Sequence, residues 1–325
     1  MAMTGWRAVD EHCAVIEGAV NIGVIRLDGA RVLLVDSGLD RDAGRRAIRA
    51  VAEAGWGEVA GILTTHAHAD HVGGHPEIVR RIGCPVWAPP VEAAIMSAPE
   101  LAPAIMFGAA PPGSMRTKFL LPAQVAVNHQ VSGQTVTVDG LEIGVVPLPG
   151  HAPGQVGYVV GDTCFSADSV FPEDTLTKHV IPYVYDMTRH RQSLETAQAL
   201  PYQRFVCGHG PVLERDAFRE LVSENLAVLD RIEQRVVVAL EDAPDAAGVL
   251  GRVLDELDGE ADTLGAAGLM GVTVRAMLAD LADRNEVESR VARGRITWHR
   301  TVATESGPSA QSRGPSRATE NVAID

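Results

Sequence analysis

Apolar residues along the first two thirds of the chain come in short runs that end on a glycine, a proline or an acid. Cys13–Glu17, Ile22–Leu27 and Val32–Val35 have strand length, and Asp42–Ala54 has helical spacing. Gly61–Thr65 is a further strand, leading into a histidine-rich segment. His75–Arg81 starts a helix, and Pro85-Val86-Trp87-Ala88 is another strand. Residues 89–124 differ: seven prolines, many Ala and Met and little charge predict a helical or irregular insertion. Its apolar content suits a lid beside a pocket, with a plain surface connection as the alternative. Val125–Val146 alternates apolar and polar residues around Gly133 and Asp139-Gly140, which predicts a hairpin. Gln155–Val160 and Thr163–Ser166 read as a strand pair, and Gln192–Leu200 and Asp216–Leu240 as helices. Periodicity alone supports a mixed α/β fold.

Beyond residue 218 the character changes. Glu220–Leu240 is a long amphipathic helix, followed by helices at Ala246–Leu257 and Gly271–Asp283. Val287–Val291 and Arg295–Trp298 then flank Ala292-Arg293-Gly294, so a hairpin follows three helices, the layout of a winged helix. The expected organisation is a catalytic domain at 1–217, a small, mainly helical winged-helix-like domain at 218–303, and a disordered tail at 304–325, rich in Ser, Pro, Gly and Ala. Five arginines lie between Arg284 and Arg300, but the preceding helices carry Asp242, Asp245, Asp255, Glu256, Asp258, Glu260 and Asp262. A nucleic-acid reader presents a concentrated basic face. Packing, pairing with a second chain as a homodimer, or closure of a pocket is therefore the expected role of 218–303, docked near the mouth of the site.

Composition narrows the class. A 46% hydrophobic chain of 325 residues can bury a proper core as one large domain and one small one. A net charge of −14 argues against a general binder of nucleic acid or anionic membrane. Lys118 and Lys178 are the only lysines. Cys13, Cys84, Cys164 and Cys207 have no paired spacing and read as buried free thiols. No basic N-terminal segment leads into an apolar signal core, and no apolar stretch is expected to reach membrane length. The cytoplasm is the expected compartment, with a small molecule as substrate.

The chemistry lies in residues 64–75, Thr-Thr-His-Ala-His-Ala-Asp-His-Val-Gly-Gly-His. His66, His68, Asp70 and His71 put four donors within six residues, and a tightly turning segment can aim all four at one point. Imidazole nitrogen and carboxylate oxygen suit zinc, iron or manganese. One short segment cannot enclose a metal, so further ligands must come from elsewhere. His151 sits in Leu148-Pro149-Gly150-His151-Ala152-Pro153-Gly154, Asp168 ends Phe165-Ser166-Ala167, and His209 follows Phe205-Val206-Cys207-Gly208. Asp36 ends Val32–Val35 in the same way. Each is a donor at a strand's C-terminal end. Singly each is weak; together they point to one site.

In type, order and spacing these motifs resemble the metallo-β-lactamase superfamily over residues 10–215. The resemblance implies an αβ/βα sandwich, two packed sheets with helices outside. It also implies two divalent metal ions, zinc first, with iron or manganese as alternatives. His66, His68 and His151 would hold one metal, Asp70, His71 and His209 the second, and Asp168 would bridge them opposite a water or hydroxide. Asp70 and Asp36 are the acids assigned to catalysis, Asp70 at the second metal and Asp36 fixing a ligand's orientation. Two metals ~3.5–4 Å apart acidify one water and polarise the bond it attacks.

A bridging carboxylate resembles thiolester hydrolases, lactonases, phosphodiesterases and nucleases rather than true β-lactamases. The lactonases carry Tyr three residues past the bridging acid, where this chain has Phe171. The large inserted domain of the RNA-processing branch is absent. The glyoxalase II branch places basic and tyrosyl groups shortly after that acid; Lys178, His179, Tyr183 and Tyr185 occupy the region with different spacing. A glyoxalase II-like hydrolase of a thiolester or ester is the leading expectation, with a lactonase or phosphodiesterase next. A mononuclear iron persulfide dioxygenase and a nucleic-acid-binding hydrolase are the rivals.

Overall fold

A computed structural model describes residues 5–301 apart from Ala123, so the expectation for 304–325 lies outside the described residues. The chain opens with four strands, β1 (Trp6–Ala8), β2 (Cys13–Ile16), β3 (Ile22–Arg26) and β4 (Arg31–Val35). Helix α1 (Arg41–Glu53) follows, started by Asp40, whose carboxylate accepts from the Asp42 and Ala43 amides. Next come β5 (Glu58–Leu63), α2 (Ala69–Val72), α3 (His75–Ile82) and β6 (Val86–Ala88). The insertion forms α4 (Pro90–Ser97), α5 (Leu101–Phe107) and a 3-10 turn at Gly113–Met115. Strands β7 (His129–Gln130), β8 (Thr135–Val138), β9 (Leu141–Pro147), β10 (Val156–Val160) and β11 (Thr163–Ala167) lead to α6 (Glu173–Lys178) and α7 (Met187–Ala199). After β12 (Arg204–Cys207) and β13 (Val212–Glu214) come α8 (Arg215–Ala239), α9 (Ala246–Glu256), α10 (Leu264–Asp283) and the hairpin β14 (Val287–Ala292) with β15 (Arg295–Arg300).

Two sheets result. The first runs β1 to β7 in chain order, and the second has the order β13-β12-β11-β10-β9-β8. Alternate residues of one strand serve two cores. In β2, Cys13 and Val15 join the layer between the sheets with Tyr158 and Phe165, whereas Ala14 and Ile16 join the outer layer with Ala47 and Val51 of α1. In β4, Leu33 and Val35 go inward while Val32 and Leu34 go outward. Burial on both faces explains why these strands read as continuous apolar runs. Helices α7, α8, α9 and α10 cover the outer face of the second sheet. The architecture is the αβ/βα sandwich with a helical C-terminal part. Cys13, Cys84, Cys164 and Cys207 are buried and free, as their spacing implied.

Several elements differ from the sequence reading. Residues 125–134 are not one arm of the hairpin: β7 pairs in parallel with β6 in the first sheet, and the hairpin is β8–β9 around Asp139-Gly140. Helix α7 begins at Met187 because the Asp186 carboxylate caps it, accepting from the Arg189 amide. Helix α10 begins at Leu264, seven residues before the expected Gly271. It is also long and apolar enough to cross a membrane by length and composition, which corrects the expectation that no stretch reaches that length. Half of its most apolar window is buried within the molecule, against α5, α7, α8 and α9.

Candidate metal centre

The strand ends converge. Asp36 follows β4, the 64–75 segment follows β5, His151 sits between β9 and β10, Asp168 follows β11, and His209 follows β12. The donor atoms of His66, His68 and His151 lie within 4.8 Å of one another, as do those of Asp70, His71 and His209. His68 Nδ1 is 2.8 Å from His151 Nε2. Asp168 stands between the two sets. Its Oδ1 is 3.4 Å from His71 Nε2, and its Oδ2 is 3.6 Å from His151 Nε2 and 3.3 Å from His209 Nε2. Asp70 Oδ2 lies 3.7 Å from His209 Nε2.

Most of the histidines spend one ring nitrogen on an outer partner and aim the other inward. His71 Nδ1 donates to Asp36 Oδ2 at 2.8 Å, His151 Nδ1 to the Tyr183 carbonyl at 2.9 Å, and His209 Nδ1 to the Ala19 carbonyl at 2.7 Å. His66 Nδ1 is 3.0 Å from Thr65 Oγ1. Asp36 is itself pinned by Thr65, whose amide and hydroxyl both donate to it. Outer partners of this kind fix the tautomer and orientation of a ligand. Inside, His66 Nε2, His71 Nε2 and Asp168 Oδ1 are buried without a hydrogen-bond partner. An orphaned buried polar atom costs about 1–3 kcal/mol. Three at one point, all good donors to borderline cations, fit a metal centre.

The electrostatics divide the two sets. Burial pushes His66 and His151 well below the ordinary imidazole range and His68 down to about 4, which favours the neutral rings that can ligate a cation. Burial also opposes charge on His71 and His209, but Asp168 outweighs it, holding His71 well above the ordinary range and His209 up at about 9. Asp168 stays ionised despite its burial because His209 and His71 face it. A cation entering the Asp70 side must therefore displace protons.

Of the residues expected to meet substrate, Tyr183 and Tyr185 line a cleft beside His68. The Tyr183 ring packs edge-on against His68 at 5.2 Å and His151 at 5.5 Å. Lys178 and His179 are exposed at the end of α6, and His179 is near enough to His209 to feel its charge. Sequence reasoning missed Glu92. This carboxylate, 1% exposed, accepts from the Ala67 amide through Oε2 and the Gly154 amide through Oε1, both at 2.7 Å. It ties the histidine-rich segment to the His151 loop. The available signal was a lone acid in the apolar run Val91–Met96.

Strand-end histidines and carboxylates gather at one end of a sandwich of two helix-covered sheets, in groups that could hold metal ions. The metallo-beta-lactamase superfamily family model matches residues 15–209. The chain belongs to the metallo-beta-lactamase superfamily and stands among the hydrolases of that fold. It is 27% identical over 256 residues to atrochrysone carboxyl ACP thioesterase of Aspergillus fumigatus, covering 79% of this chain and 69% of that protein. It is 28% identical over 207 residues to hydroxyacylglutathione hydrolase of Xanthomonas campestris pv. campestris, covering 63% of this chain and 66% of that one. A beta-lactamase domain protein from Burkholderia ambifaria shares the fold with a TM-score of 0.71 at 19% identity, covering 92% of this chain and 94% of that one. That coverage extends the shared fold into the C-terminal helices.

Proposed function

We propose that the protein is a metal-dependent hydrolase of thiolesters. The observation that carries the reading is Asp168, one carboxylate set between two histidine donor sets with Asp70 on the far side. His66, His68 and His151 would hold one cation, Asp70, His71 and His209 the other, with Asp168 between them. Two divalent cations, zinc first, would supply an acidified water and polarise the acyl carbonyl it attacks. The residues of the chain do the positioning. Asp36 holds His71, the Tyr183 carbonyl holds His151, and Glu92 holds the two ligand-bearing loops together. The thiolester preference is supported by the relatives, which are named as a thioesterase and a hydroxyacylglutathione hydrolase. Lys178 and His179, the latter near His209, are proposed contacts for the thiol part of the substrate.

The test is a hydrolysis panel of thiolesters, lactones and phosphodiesters on protein of defined metal content. Thiolesters should be turned over, activity should vanish with a chelator and return with zinc, iron or manganese, and Asp168→Ala should lose metal and turnover together. Chelator-resistant turnover, or hydrolysis of lactones or phosphodiesters alone, would overturn the reading. One iron per chain with oxygen consumption would do the same.

A further inference from the structure

Resting on the two-cation reading, we propose that His75 is a positioning residue of the metal centre: a histidine that is no ligand itself but fastens the end of β4 to the end of β5, and so sets where His71 stands. His75 opens α3, yet its side chain is fully buried, as are Ser37 and Thr64 on either side of it. Its Nδ1 lies 2.6 Å from Ser37 Oγ and its Nε2 lies 2.9 Å from Thr64 Oγ1. Among the described residues it belongs to none of the donor groups that could hold a metal. Full burial also keeps it from touching substrate.

The bonds run in one direction. The Ser37 hydroxyl donates to the His71 carbonyl at 3.2 Å, so its oxygen accepts from His75 Nδ1, and Nε2 accepts from the Thr64 hydroxyl. A neutral imidazole offers one donor and one acceptor, which is what the two hydroxyls require. Burial pushes the His75 ring down to about 3, and the charge on His71 acts the same way, which favours that neutral form. Both ends of the bridge are anchored. The Thr64 amide donates to the Trp87 carbonyl, and the Thr64 carbonyl accepts from the Tyr158 hydroxyl, both at 2.8 Å. At the other end His71 is gripped twice. The Ser37 amide joins the hydroxyl in donating to the His71 carbonyl, at 2.8 Å, while Asp36 accepts from His71 Nδ1. Asp36 holds a φ of 63°, a conformation that persists only while its surroundings fix it. A fully satisfied buried network supplies that rigidity, whereas an apolar residue at position 75 would fill the space without tying Ser37 to Thr64.

Zinc binding to the metal-stripped full chain should be measured by calorimetry and by competition with a chelator, with Tm of the stripped protein recorded alongside. His75→Phe keeps a ring and loses both bonds, and should weaken zinc binding by about tenfold or more. His75→Asn is smaller, but its amide can reach Ser37 Oγ as Nδ1 does, so it should bind zinc more tightly than the phenylalanine variant. A packing role gives the opposite order, since the ring fills the site and the amide leaves a void. Ser37→Ala, which removes the other end of the bridge, should weaken zinc binding as His75→Phe does. In a His71→Ala background His75→Phe should cost nothing further, because effects carried through one residue do not add. Wild-type affinity in Ser37→Ala or His75→Phe overturns the proposal, whatever happens to Tm. So does tighter binding by the phenylalanine variant than by the asparagine one, or an undiminished loss in the His71→Ala background. If His75→Phe does not fold, Ser37→Ala against wild type decides. Uptake of one zinc by wild-type protein overturns the two-cation reading, and the same comparisons on the ion that binds then decide the role of His75.

Discussion

Asp168 reaches the two donor sets through a backbone that few residues adopt. Ala167, immediately before it, has φ of 50°, and Asp36 has φ of 63°. Left-handed conformations at non-glycine residues cost free energy and persist where the surroundings over-determine them. Here they turn a carboxylate out of the end of a strand, and β11 shifts register against β12 between Phe165 and Ala167 to allow it. Gly208 is the complementary requirement. A Cβ there would lie 1.9 Å from Asp168 Oδ1 and 2.9 Å from His71 Cε1. Both neighbours are held, so the carboxylate would have to move. Gly208→Ala should therefore lower kcat/KM by roughly 100-fold or more, as displacements near 1 Å do, and reduce bound metal. Elemental analysis alongside kinetics checks this; wild-type metal content and rate in the variant would show that Asp168 has room to spare. At this scale the metal donors were legible because rare residue types cluster in the sequence. Glu92 was not, since a lone acid on an apolar helix differs from a surface residue only by where its carboxylate ends up. The hold on His151 was invisible for another reason: it comes from the backbone of Tyr183, and any residue has a carbonyl.

Elements became legible in proportion to how local their causes are. The strands of the two sheets follow from apolar runs and turn residues. Gly265, Gly268 and Gly271 lower the helix propensity of the first half of α10. Tertiary packing reverses that preference. Cβ atoms at Gly265 and Gly268 would lie 3.0 Å from Leu120 and 3.2 Å from Met115, so small residues let α10 lie close against the insertion. Nor could the short strand β7 be assigned, because its partner β6 lies 42 residues earlier in the register Trp87 to His129, with the whole insertion between them. The close fit of α10 puts Thr273 against the 181–185 loop. Its hydroxyl donates to the Pro182 carbonyl and accepts from the Val184 amide, both at 2.9 Å. These bonds flank Tyr183, whose carbonyl orients His151. Thr273→Val keeps the shape and leaves a buried carbonyl and amide unpaired, a cost of about 1–3 kcal/mol. It should lower Tm and weaken metal retention about tenfold or more in a chelator competition, with Thr273→Ser restoring both. A lower Tm with unchanged metal affinity would limit Thr273 to holding the fold.

On the scale of the whole molecule, the change in composition at residue 218 reads as a border, whereas the packing runs across it. Phe205 of β12 stacks on Phe218 of α8 at a centroid distance of 3.8 Å. One apolar cluster contains Cys164, Phe205 and Cys207 from the second sheet together with Leu229, Val236, Val253 and Leu278 from α8, α9 and α10. Ion pairs follow the same seam: Arg191 of α7 meets Asp230 and Glu233 of α8 at 2.6 and 3.0 Å, and Arg284 meets Glu233 at 2.8 Å. Pairs at this degree of exposure contribute little each, so the shared core decides the outcome. Four of the five arginines between Arg284 and Arg300 are also engaged, Arg284 with Glu233, Arg290 with Glu288, Arg295 with Asp245 and Arg300 with Glu241. Composition could not show this, because a shared core depends on which residues meet across long stretches of chain. Truncation after Pro211 therefore removes one side of a continuous core rather than a detachable module. It strips Phe218, Leu221 and Val222 from the face of β12 and takes away Thr273 and the Met106–Val272 contact at the cleft. Loss of several large buried side chains at about 2–5 kcal/mol each exceeds the 5–15 kcal/mol that holds a typical domain together. The truncated chain should be recovered as aggregate without bound metal, whereas ending the chain after Thr301 should leave solubility and metal content as they are in the full chain. Sedimentation and elemental analysis of both proteins decide the matter: a soluble, metal-replete 1–211 fragment would mean that the sandwich closes its second sheet without these helices.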